Sequence, residues 1–498
     1  MSNGKEYCMY LKKIRLRNIK CFKELELDFS EDILKHDLNK PESGVQRWTT
    51  LFGKNALGKS TLLQAMGAVL AGPSAMRELL PVAEGWLRVG EPYGEIYAEL
   101  LWCDGDAAPR GPKRPYPYVM QYLVSGSDPS KLPASVVEKP TVAEIVPWSG
   151  DPGTSKAERR QHLQNTKDRR LLQETAYNES TQGWMACGYG PFRRLSGGSE
   201  QSNSIVSAGR RAARFVTLFR EDAALTNATK WLTELHNTAR EEDPRSQRTL
   251  EIVKRSLATQ LFPEKAELNV TAKSAFLKRN GSTEILFQNL SDGYRSMLAL
   301  SIDLLHWLTE AFPNADNPLS CPGVALIDEL DTHLHPSWQR MIGHWLREKF
   351  PNIQFIIATH SPFIAQVADP ESGVAVPGTE PSSQRSRNIR LKETAQGVIA
   401  EPSAEDARLL GPEQILQSDL FDMSTVLSPQ VEQKLERFDQ LKERQTASAL
   451  SPEEATELEH LQMELELLPA ASTAEGRAVG AALGSAVQKL AGKIRDLE

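Results

Sequence analysis

Apolar residues recur along this chain with two periods, and the switches between them mark out the elements. From residue 11, LKKIRLRNIKCFKELELDF alternates apolar and polar residues with a break at Asn18, predicting the two short strands of a hairpin. WTTLFG, from residue 48, predicts a strand that runs straight into a glycine-rich turn. KSTLLQAMGAVLAG then sets Leu62, Leu63, Met66, Val69 and Leu70 at helical spacing and stops near Gly72. GEIYAELLWC and YPYVMQYLVSG predict strands separated by the loop DGDAAPRGPKRP. From about Val146 to Gln182 the pattern dissolves into polar, irregular sequence that reads as a surface insertion.

Periodicity returns in AALTNATKWLTELHNTAR and QRTLEIVKRSLATQLF, both helical, followed by the strands AELNVTA and EILFQNL. YRSMLALSIDLLHWLTEAF is apolar on most faces, as for a buried helix. GVALIDE and IQFIIATH are short continuous apolar runs, the mark of strands covered on both sides; SWQRMIGHWLREKF between them predicts a helix. VADPESGVAVPGTEPSSQRSR reads as a loop, and beyond about Ala404 the chain is mainly helical. Val431, Leu435, Phe438 and Leu441 share one face; Ser451 and Glu454 form a capping box for a second helix carrying Leu458, Leu461 and Leu465. AEGRAVGAALGSAVQKLAGKI closes the sequence as a weakly apolar helix that needs a partner surface. The pattern is that of an α/β fold: a head in two lobes (1–125 and 251–400), an irregular insertion (126–250), and a helical partner-binding region (401–498).

A length of 498 residues implies more than one core. A composition 40% hydrophobic and 25% charged suits a globular chain, and no apolar run reaches the length of a membrane span. Five scattered cysteines and the absence of a cleavable apolar leader point to reduced thiols and a cytoplasmic location. A net charge of −7 argues against a basic nucleic-acid coat. The densest basic clusters, at 156–160, 167–170 and 209–214, read as solvated faces of polar segments.

GKNALGKST, residues 53–61, lies between the predicted strand and helix and matches a phosphate loop at every fixed position. Gly53, Lys54, Asn55 and Gly58 let backbone N–H groups curl round anionic oxygens at a helix N-terminus. Lys59 offers charge to the β- and γ-phosphates, Ser60 a hydroxyl to Mg²⁺, and Thr61 contacts a neighbouring phosphate oxygen. The predicted ligand is therefore a nucleoside triphosphate with Mg²⁺. VALIDELD ends an apolar strand in acids: Asp328 as the Mg²⁺ residue, and Glu329 as the general base facing water. His360, just past the next apolar strand, is placed to sense the γ-phosphate. His333 and His335 have H-x-H spacing beside a proline without an evident third ligand, so local hydrogen bonding is the preferred reading.

Two stretches compete as a helix-start grip on a second nucleotide: LSGGSE at 195–200 and LSDGY at 290–294. LSDGY leads directly into the long apolar helix and then the acidic strand, which assigns the grip to Ser291 and Gly293. LSGGSE leads into QSNSIVSAGRR, which lacks a comparable helical pattern, and reads as a loop.

The order of phosphate loop, LSDGY, acidic strand, LDTHLHP and THSP resembles the ABC/SMC-like ATPases that include RecF, Rad50 and OLD proteins. DELDTHLHPSWQR, FPNIQFIIATHSPFIAQ and ILQSDLFDM are similar to the stand-alone AAA15/AAA21 members, among them ATPase subunits of Septu-type anti-phage systems that act beside a nuclease. The resemblance implies a head-to-head dimer that sandwiches two ATPs between the Lys59 loop of one protomer and Ser291 of the other, with Asp331 crossing the interface. It also implies a Mg²⁺-sensing glutamine; Gln121 lies in the right interval but in mid-strand, and the assignment stays open. Departures count as well. No acid-rich TOPRIM pattern follows Pro362, which speaks against an intrinsic nuclease, and no long coiled coil is present. The leading expectation is an ATP-driven switch controlling a separate nuclease or other effector. The alternative is a RecF-like repair ATPase that binds duplex DNA; a membrane transporter subunit does not suit the insertion.

Overall fold

The computed structural model describes residues 10–30, 45–101, 117–179, 182–194, 197–207, 211–225, 227–258, 266–279, 283–367, 386–403 and 405–465. Two sheets organise the head. The first is antiparallel, in the order Phe22–Asp28, Tyr10–Ile19, Tyr93–Leu101, Tyr118–Ser125, Ile145–Pro147. Alternation in its first hairpin sends Ile14, Leu16 and Ile19 inward. The chain reverses at Lys20 and Cys21, slightly beyond the expected break, with Asn18 and Lys20 in left-handed conformation.

The second sheet has six strands, ordered Gly397–Pro402, Ser386–Thr394, Trp48–Phe52, Ile353–Ala358, Gly323–Ile327, Ala186–Tyr189. Its last five strands run parallel. The apolar runs Gly323–Ile327 and Ile353–Ala358 are buried throughout, as strands covered on both faces must be. Helix Lys59–Ala71 packs against both sheets, so it is buried nearly all round. Each of Leu62, Leu63 and Met66 is fully buried there, worth roughly 1.5–3 kcal/mol apiece. Helix Asp292–Ala311 fills a second core on the far side of the parallel sheet, with Leu298, Leu304 and Trp307.

The structure corrects several expectations. The supposedly irregular insertion contains the nineteen-residue helix Lys156–Glu174. It buries Asn165, Asp168 and Leu172, and it opens with a capping box in which Ser155 and Glu158 satisfy each other's backbone N–H groups. Buried Asp168 ties this helix to the backbone N–H of Val119. The basic clusters at 156–160 and 167–170 lie on it; that at 209–214 is no solvated face, because Arg211 is buried and Arg214 lies over the Trp307 ring. Ala186–Tyr189 belongs to the parallel sheet, so 126–250 is part of the head's core. The segment after 385 folds into a hairpin, Ser386–Thr394 and Gly397–Pro402, that extends the same sheet beside Trp48–Phe52. EILFQNL is strand only at Ile285–Leu286, turning at once into a 3₁₀ turn, and Ala275–Arg279 is a strand the pattern did not reveal.

The head runs to Ile415 and includes Asp419–Phe421, beyond the expected division at 400. The second unit contains the helical hairpin Pro429–Ala447 and Pro452–Leu465, closed around Leu441, Leu458 and Leu461. Ser451 and Glu454 make the capping box read from the sequence, and Arg437 grips Glu457 through two bonds of 3.0 and 2.7 Å. The closing apolar stretch lies outside the described residues. Among the described residues, no helix is long and apolar enough to cross a membrane.

Candidate functional site

The turn between strand Trp48–Phe52 and helix Lys59–Ala71 is forced by its glycines. Gly58 sits at φ +88°, and a Cβ there would lie 2.6 Å from the Cys21 sulfur and 2.7 Å from the Phe22 ring. Gly53, at φ +145°, has the Leu391 carbonyl 2.9 Å from the equivalent point. The loop therefore presses against the first hairpin on one side and strand Ser386–Thr394 on the other. Lys59 donates to the carbonyls of Gly53 (2.7 Å) and Lys54 (3.2 Å). Burial holds its pKa below the usual lysine value; the carboxylates of Asp328, Glu329 and Asp331 partly oppose that.

A cavity of about 390 Å³ opens here, lined by Asn55, Gly58, Lys59, Ser60, Thr61, Asp328, Glu329 and His360, with Lys20, Cys21 and Ala56. The structure thus brings the loop, the acidic strand end and the histidine to one place. Asp328 is only 4% exposed; burial, followed by Glu329, raises its pKa, and a hydrogen bond with Ser60 opposes the rise. Its Oδ1 has no hydrogen-bond partner among the described residues. An orphaned buried carboxylate oxygen beside a hydroxyl is the donor set a hard divalent cation takes, so Ser60 and Asp328 fit Mg²⁺. Glu329 adopts φ +47°, unusual for a side-chain-bearing residue, and Oε2 accepts from Thr332 Oγ1 at 2.8 Å. His360 is exposed on the rim; desolvation against the cavity wall, then the Lys59 charge, lowers its pKa, which favours the neutral imidazole.

Ser291 and Gly293 lie apart from this cavity. Ser291 is the exposed N-cap of helix Asp292–Ala311 and makes no side-chain capping bond. Gly293 is buried, and a Cβ there would meet the His333 carbonyl at 2.8 Å, so its immediate role is close packing on the DTHLHP turn. Asp331, assigned to a crossing role, accepts from Thr359 Oγ1 and, at 3.3 Å, from the His360 N–H of its own chain. His335 caps helix Pro336–Lys349 through Ser337, consistent with the local reading. Gln121 bonds Asn165 at 3.5 Å in the antiparallel sheet and is not among the residues lining the cavity.

The rival motif needs a correction: LSGGSE does lead into a helix, Glu200–Ser207. Leu195 and Ser196 lie outside the described residues. Gly197 and Gly198 have positive φ, and Ser199 bonds Asp222, whose pKa is depressed by Arg220 and then by Ser199. That helix start is already occupied by a fixed carboxylate, which opposes phosphate.

Arg193, in the GYGPFRR stretch, was not foreseen. Its guanidinium, 4% exposed, donates to the carbonyls of Gly190 (3.1 Å), Asp328 (2.9 Å), Glu329 (3.0 Å) and Leu330 (3.4 Å), and to Ser296 Oγ (3.0 Å). Burial pulls its pKa down to about 10, with Asp331, Asp328 and Glu329 opposing. Arg193, the first of two adjacent arginines, lies in a stretch without periodicity, so nothing in the pattern marked it.

A family model described as an AAA ATPase domain matches residues 9–76, and one described as an AAA domain, putative AbiEii toxin, Type IV TA system, matches 147–365. Between them these matches take in the phosphate loop, the acidic strand and the THSP stretch, over which the chain is similar to AAA-type ATPases. The chain is 49% identical over 86 residues to a retron Vc95 probable ATPase of Vibrio cholerae serotype O1 biovar El Tor, covering 17% of the chain and 16% of that protein. It is 25% identical over 356 residues to the Septu protein PtuA of Bacillus mycoides (strain KBAB4), covering 71% of the chain and 38% of that relative. The chain thus spans well under half the length of these two relatives. Among solved structures, an SMC head bound to the C-terminal winged-helix domain of ScpA aligns with 80% of the chain and 100% of that structure, at 16% identity and a TM-score of 0.43.

Proposed function

We propose that this chain binds and hydrolyses ATP and works as a switch: two copies close on a pair of nucleotides, and that closure controls a separate effector, a nuclease in anti-phage defence. The observation that carries the reading is the convergence of Lys59, Ser60, the orphaned Asp328 oxygen, Glu329 and His360 on one cavity. The loop N–H groups and Lys59 hold the triphosphate, while Ser60 and Asp328 hold Mg²⁺. The cation, when bound, neutralises charge developing on the β- and γ-oxygens. Glu329 orients and deprotonates the attacking water; neutral His360 contacts the γ-phosphate from the rim. Ser291, exposed at a free helix start, grips the nucleotide held by the second copy, where Asp331 also meets it. The relatives' names, a retron ATPase and a Septu protein, support the defence setting.

The test uses the full chain with the product of its neighbouring gene. ATP turnover by the purified chain, mass doubling with ATP and Mg²⁺, and nucleotide-dependent DNA cleavage by the copurified pair are expected. Absence of ATP turnover sinks the enzymatic reading. Salt-sensitive duplex binding by the chain alone, without a partner nuclease, favours the repair alternative.

A further inference from the structure

We propose that Arg193 is a positioning residue that sets the geometry of Glu329 and ties it to the helix headed by Ser291; this rests on the ATPase reading above. Four of its hydrogen-bond acceptors are backbone carbonyls, and three of those, at Asp328, Glu329 and Leu330, are consecutive at the end of the acidic strand. There the strand ends and the chain turns through Glu329 in the left-handed region, a conformation that persists only when its surroundings hold it. Arg193 fixes the carbonyl of that residue, and Thr332 fixes its carboxylate. Backbone and side chain of the water-activating acid are thus clamped from two sides.

The fifth acceptor gives the clamp its second function. Ser296 lies on helix Asp292–Ala311, little more than one turn from Ser291. A displacement of that helix against the sheet changes the Ser296 contact, and with it the fork that also holds Glu329. A buried planar guanidinium transmits such a change because its donors are fixed relative to one another; a lysine has a single nitrogen and no fork. Docking of the Ser291 end on a nucleotide in the second copy is thereby linked to the alignment of the first copy's own acid.

The experiment compares wild type, Arg193→Lys, Ser296→Ala and the double variant in the full chain. Equilibrium binding of a fluorescent ATP analogue with Mg²⁺, steady-state ATP turnover and thermal unfolding are measured on each. Arg193→Lys is expected to lower kcat about 100-fold, the scale of a misplacement of about 1 Å, with ATP affinity within about threefold of wild type, since no phosphate contact is removed. Ser296→Ala is expected to lower kcat more modestly, and to have no further effect in the Arg193→Lys background, because the hydroxyl acts through the guanidinium. Wild-type kcat in Arg193→Lys overturns the proposal, as does a parallel loss of affinity and unfolding temperature with turnover per bound ATP unchanged. Should Arg193→Lys fail to fold, Ser296→Ala decides alone: an unaltered kcat overturns the link. A wild-type chain that neither binds nor hydrolyses ATP defeats the underlying ATPase reading instead, and the link with it.

Discussion

The Lys59 ammonium lies 2.7 Å from the Gly53 carbonyl, so the phosphate loop is closed on its own lysine. A triphosphate bound here would take over that charge and release the Gly53 and Lys54 carbonyls. Lys59→Ala is therefore expected to cost about 1.5–3 kcal/mol of ATP affinity, the scale of a charged hydrogen bond. Wild type should gain unfolding temperature on adding ATP and Mg²⁺, and the variant should not. Thermal scans with and without nucleotide check this.

Glu329→Gln keeps the shape of the acid and removes its basicity. Turnover should fall about 100-fold or more, while bound ATP accumulates and the mass by light scattering doubles. A variant that hydrolyses at the wild-type rate removes Glu329 from the role of base.

Ser291 is exposed and caps nothing with its side chain, so Ser291→Arg should leave unfolding temperature and single-chain ATP binding intact. It should block ATP-dependent dimerisation and reduce turnover to background. The same change at Ser196 should leave turnover near wild type. Side-by-side turnover and mass measurements separate the two motifs.

Asp303 is fully buried beneath the parallel sheet, accepting from the Tyr189 hydroxyl at 2.9 Å and the Trp307 indole at 2.8 Å. Burial raises its pKa to about 7, well above the ordinary 3.8. Between those values the folded protein holds a proton that the unfolded chain releases. This group's contribution is thus fully present below about pH 4 and declines as pH rises to 7, by at most about 1.4 kcal/mol per pH unit. Asp303→Asn should flatten that slope relative to wild type. Urea midpoints at pH 5, 6 and 7 provide the comparison.

The parts of the site legible in the sequence were those whose chemistry needs a contiguous phrase: a loop fixed by Gly53 and Gly58, and acids at the end of an apolar strand. The long helix after LSDGY was equally plain, since it is buried on most sides. Helix Lys156–Glu174 escaped because it reaches the core through polar groups such as Asp168, and apolar periodicity is blind to those. Arg193 escaped for a related reason: what it holds is main chain, whose position no side-chain pattern reports. What the structure adds against LSGGSE is Asp222, more than twenty residues beyond the serine it binds and so invisible to a local pattern.

The hairpin Ser386–Pro402 has a bearing on how the protein can be cut. Without it, strand Trp48–Phe52 becomes an open border of the parallel sheet, and the Leu391 carbonyl no longer backs Gly53. A fragment ending just after THSP retains every recognisable ATP-binding phrase, yet it exposes unpaired main chain along a strand that is otherwise buried throughout. Such a fragment should self-associate edge to edge rather than behave as a minimal nucleotide-binding head.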